Sequence, residues 1–394
     1  MSEPQERAYL DYAATTPLDP RVLEAMMPHL SESFGNASAL YAEGKEAARA
    51  VEAARRTVAK SVGADNPYEI VFTSGGTESD NTVVRGLALA ARDARGTAKG
   101  PGHVVCSSYE HKAVLEAVAS LRREGFETTL VPPREDGVVH SEDLEAVLRP
   151  DTVLVSVMTA NNEIGTVNPI RKLAESVHAA GALFHTDAVA AVGKVPFDAA
   201  AMGVDAASFT AHKICGPKGV GALYISRKAR MRPLLVGGGQ EKGRRSGTYA
   251  THLITGFAKA VELACGDGLG PEAERLAGMR DRLIARIASE CPSIHLPLAV
   301  PAGDASGHLP GLVPLIVEGW ESETLVMKLD DLGFAVSGGS ACNAAAAKAS
   351  HVLVAIGVSE REASGFLRIT FGRFTKEDEL DRLVEALSGF AGRG

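Results

Sequence analysis

The sequence predicts an α/β protein in which a mostly parallel sheet carries helices on both faces and is followed by a smaller α+β unit. Three observations carry this. Short β-prone runs recur from residue 70 to residue 225, with helix-like sequence in most of the earlier intervals, the alternation expected of a covered parallel sheet. Polar residues with chemical capability stand just past the ends of several of these runs. Past residue 265 the composition changes to an Ala/Arg/Leu-rich helix and a few isolated strands.

In chain order, residues 43–62 read as an amphipathic helix, rich in Ala, Glu and Arg with apolar residues recurring at three and four. The β-prone runs are 70–73, 103–107, 129–131, 153–158, 182–186, 207–210 and 221–225. Glycines at 237–239 and the stretch 266–271 read as loops. A helix over 272–289, a strand at 315–317, a helix over 322–332, a strand at 366–371 and a terminal helix over 376–387 complete the second unit. The expected organisation is an N-terminal arm (1–15), a large domain (16–265) and a small C-terminal domain (266–394).

Composition limits the function classes. Hydrophobic residues make up 45% and charged residues 23%, as in ordinary globular proteins. The net charge of −8 has no basic run to offset it, which speaks against nucleic acid or an anionic membrane as partner. The polar, acidic N-terminus is unlike a secretory signal, and no apolar run approaches the roughly 20 residues of a membrane span, so the expected location is the cytoplasm. The five cysteines (106, 215, 265, 291 and 342) are odd in number and widely spaced, without a C-x-x-C pair, which argues against a disulfide framework and a metal site. Each is then a small buried hydrophobe unless its surroundings say otherwise.

In open α/β sheets the ligand crevice lies outside the carboxyl ends of the strands. Lys213 follows the run at 207–210 and precedes a Gly-Pro turn that projects it into this crevice, although a surface lysine in a turn is the plain alternative and Lys112 and Lys218 compete with it. Asp187 ends an apolar run, where a carboxylate is costly to bury without a cation; the alternative is an N-cap for the next helix. Gly75 and Gly76 open a helix and leave room for a phosphate at its amino end, with the hydroxyl of Thr77 beside it. His111 is placed either to lie on a bound ring and exchange protons or to start a helix. Together a lysine, a carboxylate and phosphate donors are what a pyridoxal 5′-phosphate (PLP) enzyme requires.

Several motifs extend this reading: SGGTES at 74–79, EHKAV at 110–114, NNEIG at 161–165, HTDA at 185–188, AHK and GPKGVGALY within 211–224, GGGQEKGRRSGT at 237–248, SGGSAC at 337–342 and FGRFT at 371–375. In this order the sequence resembles the cysteine desulfurase family, the NifS/IscS-like group within the class V aminotransferase-like PLP enzymes of fold type I, and SGGSAC resembles its group I pattern. The resemblance implies a seven-stranded large domain and Lys213 as the cofactor-bearing lysine, with Asp187 on the ring nitrogen and His111 stacked on the ring. It further implies Asn162 at ring or substrate, Gly76, Thr77, Thr210 and His212 at the phosphate, and Thr248 reaching the phosphate of a second subunit in a homodimer. Arg368 and, with less weight, Asn36 match substrate positions, and a planar guanidinium suits a carboxylate. Cys342 matches the nucleophile that takes sulfur from L-cysteine as a persulfide, leaving alanine, for transfer to an acceptor protein in iron–sulfur cluster biosynthesis or tRNA thiolation. The physical demand on it is ionisation, since the thiolate is the attacking form.

The sequence departs from the family in places. Ala190 stands where a glutamine is usual, Thr210 where serine is common, and an alanine run follows Cys342. Rival readings are a PLP-dependent C–S or selenocysteine lyase in which Cys342 is structural, an aminotransferase, or a catalytically silent subunit.

Overall fold

A computed structural model of the chain describes residues 6–96, 100, 102–304, 306–339 and 349–390. Its centre is a seven-stranded sheet in the order Ile70–Thr73, Gly221–Ile225, Ala206–Thr210, Leu183–Asp187, Thr152–Ser156, His103–Ser107 and Glu127–Val131. All strands run parallel except Gly221–Ile225, which is antiparallel to both neighbours. The runs predicted from sequence match these strands to within two residues at each end. The inner strands are buried along their whole length, the consequence of helices on both faces, and their sequences are nearly continuous in apolar residues. Only the edge strand Glu127–Val131, with its polar Glu-Thr-Thr start, is half exposed.

One face of the sheet packs on helices Ala42–Ser61 and Thr251–Cys265, the other on Gly76–Arg95 and Lys112–Arg122. A separate apolar cluster forms around the antiparallel sheet Phe366–Thr370, Leu312–Val317 and Ile294–His295 with helices Leu269–Glu290, Ser322–Asp331 and Glu377–Ser388. Its central strand runs back across Pro314, three residues earlier than the sequence suggests, because Pro314 sits in a register where it pairs with Arg368 without ending the ladder. The N-terminal strand Ala8–Tyr9 belongs to this cluster too, pairing in parallel with Phe334–Ala335. Two-residue strands are too short to leave a periodic signal, and the reading from sequence contains neither of them.

A buried ion pair fixes the loop that carries the 237–248 motif. Glu241, at a left-handed φ of 52°, takes both guanidinium ends of Arg55, at 2.7 and 2.8 Å, and Arg55 also donates to the Ile70 carbonyl at 2.8 Å. Both side chains are almost fully buried. Removing one partner strands the other's charge in an apolar setting, so Arg55→Met is expected to lower stability by about 3–5 kcal/mol, measured as the shift in the urea unfolding midpoint at constant m-value.

Candidate active site

The carboxyl ends of the sheet strands open on a cavity of about 340 Å³. Eight residues singled out from sequence line it: Gly76, Thr77, His111, Asn162, Asp187, Thr210, His212 and Lys213; Arg368 enters from the smaller sheet. Of the three lysines weighed from sequence, only Lys213 lines the cavity. It closes the short turn Ala211–Lys213 directly after strand Ala206–Thr210, and its ammonium donates to the carbonyls of Ala13 and, at 2.9 Å, Ala14. Burial pushes its pKa down to about 7, helped by the positive charges of Lys194 and Arg368 and opposed by Asp11 and Asp187.

Asp187 is buried at the end of its strand, where burial raises its pKa against the nearby His111 and Lys213. Its Oδ1 accepts from the Val189 N–H at 2.9 Å. His111 starts helix Lys112–Arg122, its Nδ1 accepting from the Ala113 N–H at 3.1 Å, which is the helix-start reading made of it from sequence, and it also lines the cavity. With Nδ1 used as an acceptor the neutral ring carries its proton on Nε2, and burial lowers its pKa despite Asp187. His212 is held neutral as well, its pKa lowered to about 4 by burial and then by Lys213.

Helix Gly76–Arg95 begins at the cavity with no side chain capping its first turn. Its amino end is thus an open set of N–H donors, with Thr77 alongside. Gly76 is needed for closeness, since a Cβ there would meet Val189 at 3.0 Å. Arg368 is 2% exposed and held by two bonds, to the Asn162 carbonyl and to Asp11, both at 2.9 Å. Its Nε is buried without a hydrogen-bond partner.

Two residues fall elsewhere. Thr248 and Asn36 are exposed and do not line the cavity, and the Asn36 side chain accepts instead from the Ser38 N–H at 2.9 Å. Cys342 lies outside the described residues. The stretch that contains it is flanked by Ser337, paired through its backbone with Arg368, and by Ser350, whose hydroxyl donates to Glu163 at 2.5 Å. The described cysteines are not poised as thiolates: burial raises the pKa of Cys106, Cys215, Cys265 and Cys291.

Among the cavity residues that the reading from sequence did not single out as site residues are Asp80, Lys194 and Cys215. Asp80 had a legible signal, being four residues after Gly76 and hence on the same helix face. It is 1% exposed, its Oδ1 has no hydrogen bond, and burial raises its pKa well above the usual carboxylate value, with Asp187 adding to the effect. Ala190, which replaces the family's usual glutamine, is buried in a small apolar cluster with Ala160, Ala191, Val195, Leu309 and Leu312, and contributes no polar atom to the cavity from its side chain.

With this geometry in view, the comparisons with known proteins are decisive about family. Residues 8–383 match the model of the family described as aminotransferase class-V. The chain belongs to that family, whose enzymes use pyridoxal 5′-phosphate. It is 47% identical over 379 residues to a protein named cysteine desulfurase IscS from Anaeromyxobacter dehalogenans, covering 95% of this chain and 90% of that one. A solved structure described as a NifS-like protein superposes with a TM-score of 0.88 at 37% identity, covering 97% of this chain and 98% of that one. Another, described as SspA in complex with cysteine, superposes with a TM-score of 0.79 at 36% identity over 94% of this chain and all of the other (100%). Within the class-V aminotransferases this chain is therefore a member of the NifS/IscS-like cysteine desulfurases.

The cavity fits the cofactor. A lysine with a depressed pKa, a buried carboxylate lining the same cavity and an uncapped helix amino end are the groups such a molecule requires.

Beneath the site, Glu110 is fully buried, its Oε1 accepting from the Ser107 hydroxyl at 2.5 Å and the Met158 N–H at 2.7 Å while Oε2 has no partner. Burial lifts its pKa to about 8. A carboxyl whose folded pKa lies above its unfolded value of about 4.3 stabilises most below that value and less as pH rises toward the folded one. Glu110→Gln, which keeps the acceptor but cannot ionise, is expected to flatten the fall in unfolding free energy between pH 5 and 8, measured by urea titration at fixed ionic strength.

Proposed function

We propose that this protein is a PLP-dependent cysteine desulfurase that converts L-cysteine to L-alanine and leaves the sulfur as a persulfide on Cys342. The observation that carries the reading is that the buried guanidinium residue Arg368 lines the same cavity as Lys213 and Asp187. An amino-acid carboxylate is the ligand that such a fixed guanidinium edge accepts.

In this reading Lys213 bears the cofactor, Asp187 faces its ring nitrogen and His111 its ring, and Asn162 sits at the ring or substrate. Gly76, Thr77, Thr210 and His212 surround its phosphate. Bound there, the cofactor supplies an electron sink for charge developing at the substrate Cα. Lys213, with a pKa near neutrality, can take and return a proton at that carbon. His111 offers a proton from Nε2 at pH 7. Asp11 and the Asn162 carbonyl hold Arg368 from one side, so its remaining edge fixes the substrate carboxylate.

The Cys342 thiolate attacks the substrate sulfur. An S–S bond forms, the Cβ–S bond breaks, and Cβ takes up a proton, so cysteine plus thiol becomes alanine plus persulfide. Thr248 and Asn36, exposed and outside their own cavity, belong in this reading to the site of a second copy in a homodimer. The sulfur then passes to an acceptor protein in the cytoplasm, for iron–sulfur cluster biosynthesis or tRNA thiolation. The net charge of −8 without a basic run supports small molecules and proteins, rather than nucleic acid or an anionic membrane, as partners.

The reading is tested by incubating the PLP-loaded protein with L-cysteine, quantifying alanine and locating added sulfur by peptide mass spectrometry. Alanine with a persulfide on Cys342 is expected, and Cys342→Ser should abolish both. Free sulfide with pyruvate and no adduct would favour a lyase, as would full activity of Cys342→Ser. A persulfide on Cys215, which also lines the cavity, would transfer the nucleophile's role to that residue. Arg368→Lys keeps the charge but loses the planar fork, and kcat/KM for L-cysteine should fall by roughly 10- to 100-fold, mostly through KM.

A further inference from the structure

Lys194 has a place in the cavity to which the desulfurase reading gives no role. It ends the turn after strand Leu183–Asp187, drawn tight by Gly193, whose φ is 75°. A Cβ on Gly193 would lie 2.7 Å from Ala264 Cβ and 2.8 Å from Ile214 Cγ2, so only glycine lets this turn close against the residue after Lys213. The Lys194 side chain is partly buried and lines the same cavity as Lys213. Among the described residues no carboxylate lies within ion-pair distance of its ammonium and no hydrogen bond is made to it.

Other charged and titratable groups surround Lys213, among them Asp80, whose raised pKa favours its neutral form. From the N-terminal segment come Asp11 and the carbonyls of Ala13 and Ala14, which favour its ammonium form. Asp187, from the sheet, does the same. Arg368 opposes them from the smaller sheet, but its charge is answered by Asp11 at 2.9 Å. His111 and His212 are neutral at pH 7. Lys218 acts on His212, and Cys215 is a buried thiol beside Lys194. Arg373 is paired with Asp19, and Glu272 with Arg275. Besides Lys213 itself, Lys194 is thus the lysine or arginine lining the cavity, among the described residues, that has no carboxylate within ion-pair distance.

We propose that Lys194 is a positioning residue for Lys213: its unanswered ammonium in the shared cavity holds Lys213 as the uncharged amine that attacks the cofactor aldehyde. This rests on the reading of Lys213 as the cofactor-bearing lysine. In that step the amine lone pair bonds to the aldehyde carbon, the carbonyl oxygen leaves as water and a C=N bond remains. An ammonium has no lone pair to give, so the rate follows the neutral fraction. Burial followed by the like charge of Lys194 is what depresses Lys213, and burial followed by Arg368 what depresses Lys194, to about 8. A neighbouring cation is a general way to activate a lysine nucleophile.

The test uses full-length protein stripped of cofactor, Lys194→Met, which removes the charge, and Lys194→Arg, which keeps it. The rate of PLP attachment is followed by absorbance from pH 5.5 to 9, and the product is trapped with borohydride and mapped by peptide mass spectrometry. In the unsubstituted protein the rate should rise with a midpoint near 7. Lys194→Met should move the midpoint up by about one pH unit and slow attachment at pH 6.5 by several-fold, with the same plateau at pH 9. Lys194→Arg should keep the original midpoint. An unshifted midpoint in Lys194→Met overturns the proposal, as does an equal shift in Lys194→Arg. If Lys194→Met fails to fold by circular dichroism, Lys194→Gln is the second neutral variant and is held to the same midpoint shift. A cofactor trapped on any peptide other than that of Lys213 overturns the reading beneath the proposal, a result distinct from an unshifted profile on Lys213.

Discussion

The guanidinium of Arg368 is where three parts of the chain meet. It rises from the middle of strand Phe366–Thr370, takes Asp11 from the N-terminal segment, and donates to the Asn162 carbonyl in the turn that follows strand Thr152–Ser156 of the large sheet. The backbone repeats the connection, since Tyr12 donates to the Thr370 carbonyl and Ala13 to the Thr370 hydroxyl. A few residues further, Thr16 bonds to the His212 carbonyl beside Lys213. The N-terminal segment is therefore a strap between the two apolar cores, and the cavity is the space that the strap encloses. Weakening this junction would reach Lys213, since Ala13 and Ala14 supply the carbonyls on its ammonium.

Enclosure then sets the protonation states. Asp187, Asp80 and Glu110 have raised pKa values, and Lys213, Lys194, His111, His185 and His212 lowered ones, with burial the first cause in every case. A low-dielectric setting favours the neutral form of each group. The acids of the site thereby ionise later, and its bases lose their protons earlier, than they would in water. Clusters of this kind mark functional sites more often than structural ones.

Family membership adds direction to what the geometry allows without replacing it. Ala190 illustrates the division. Against relatives it is a missing polar contact, whereas in the structure it is one wall of a small apolar cluster that also contains Leu309 and Leu312.

Much of this was legible in the order of residues. Continuous apolar runs bounded by polar motifs located the inner strands, because strands buried on both faces have no polar side to confuse the pattern. The rule that ligands gather at the carboxyl ends of such strands then pointed to Asp187 and Lys213. The two-residue strands left no periodic trace, and the pairing of Ala8–Tyr9 with Phe334–Ala335 joins segments more than 300 residues apart. The sequence by itself determined the sheet, its strand ends and the chemical types present there. Only tertiary structure decided which charges face each other: that Lys213 rather than Lys112 or Lys218 enters the cavity, that Asp80 and Lys194 accompany it, and that Arg368 keeps one nitrogen unpaired. The physical reason is that burial and Coulomb interaction depend on distance in space, which a local pattern of residues does not encode.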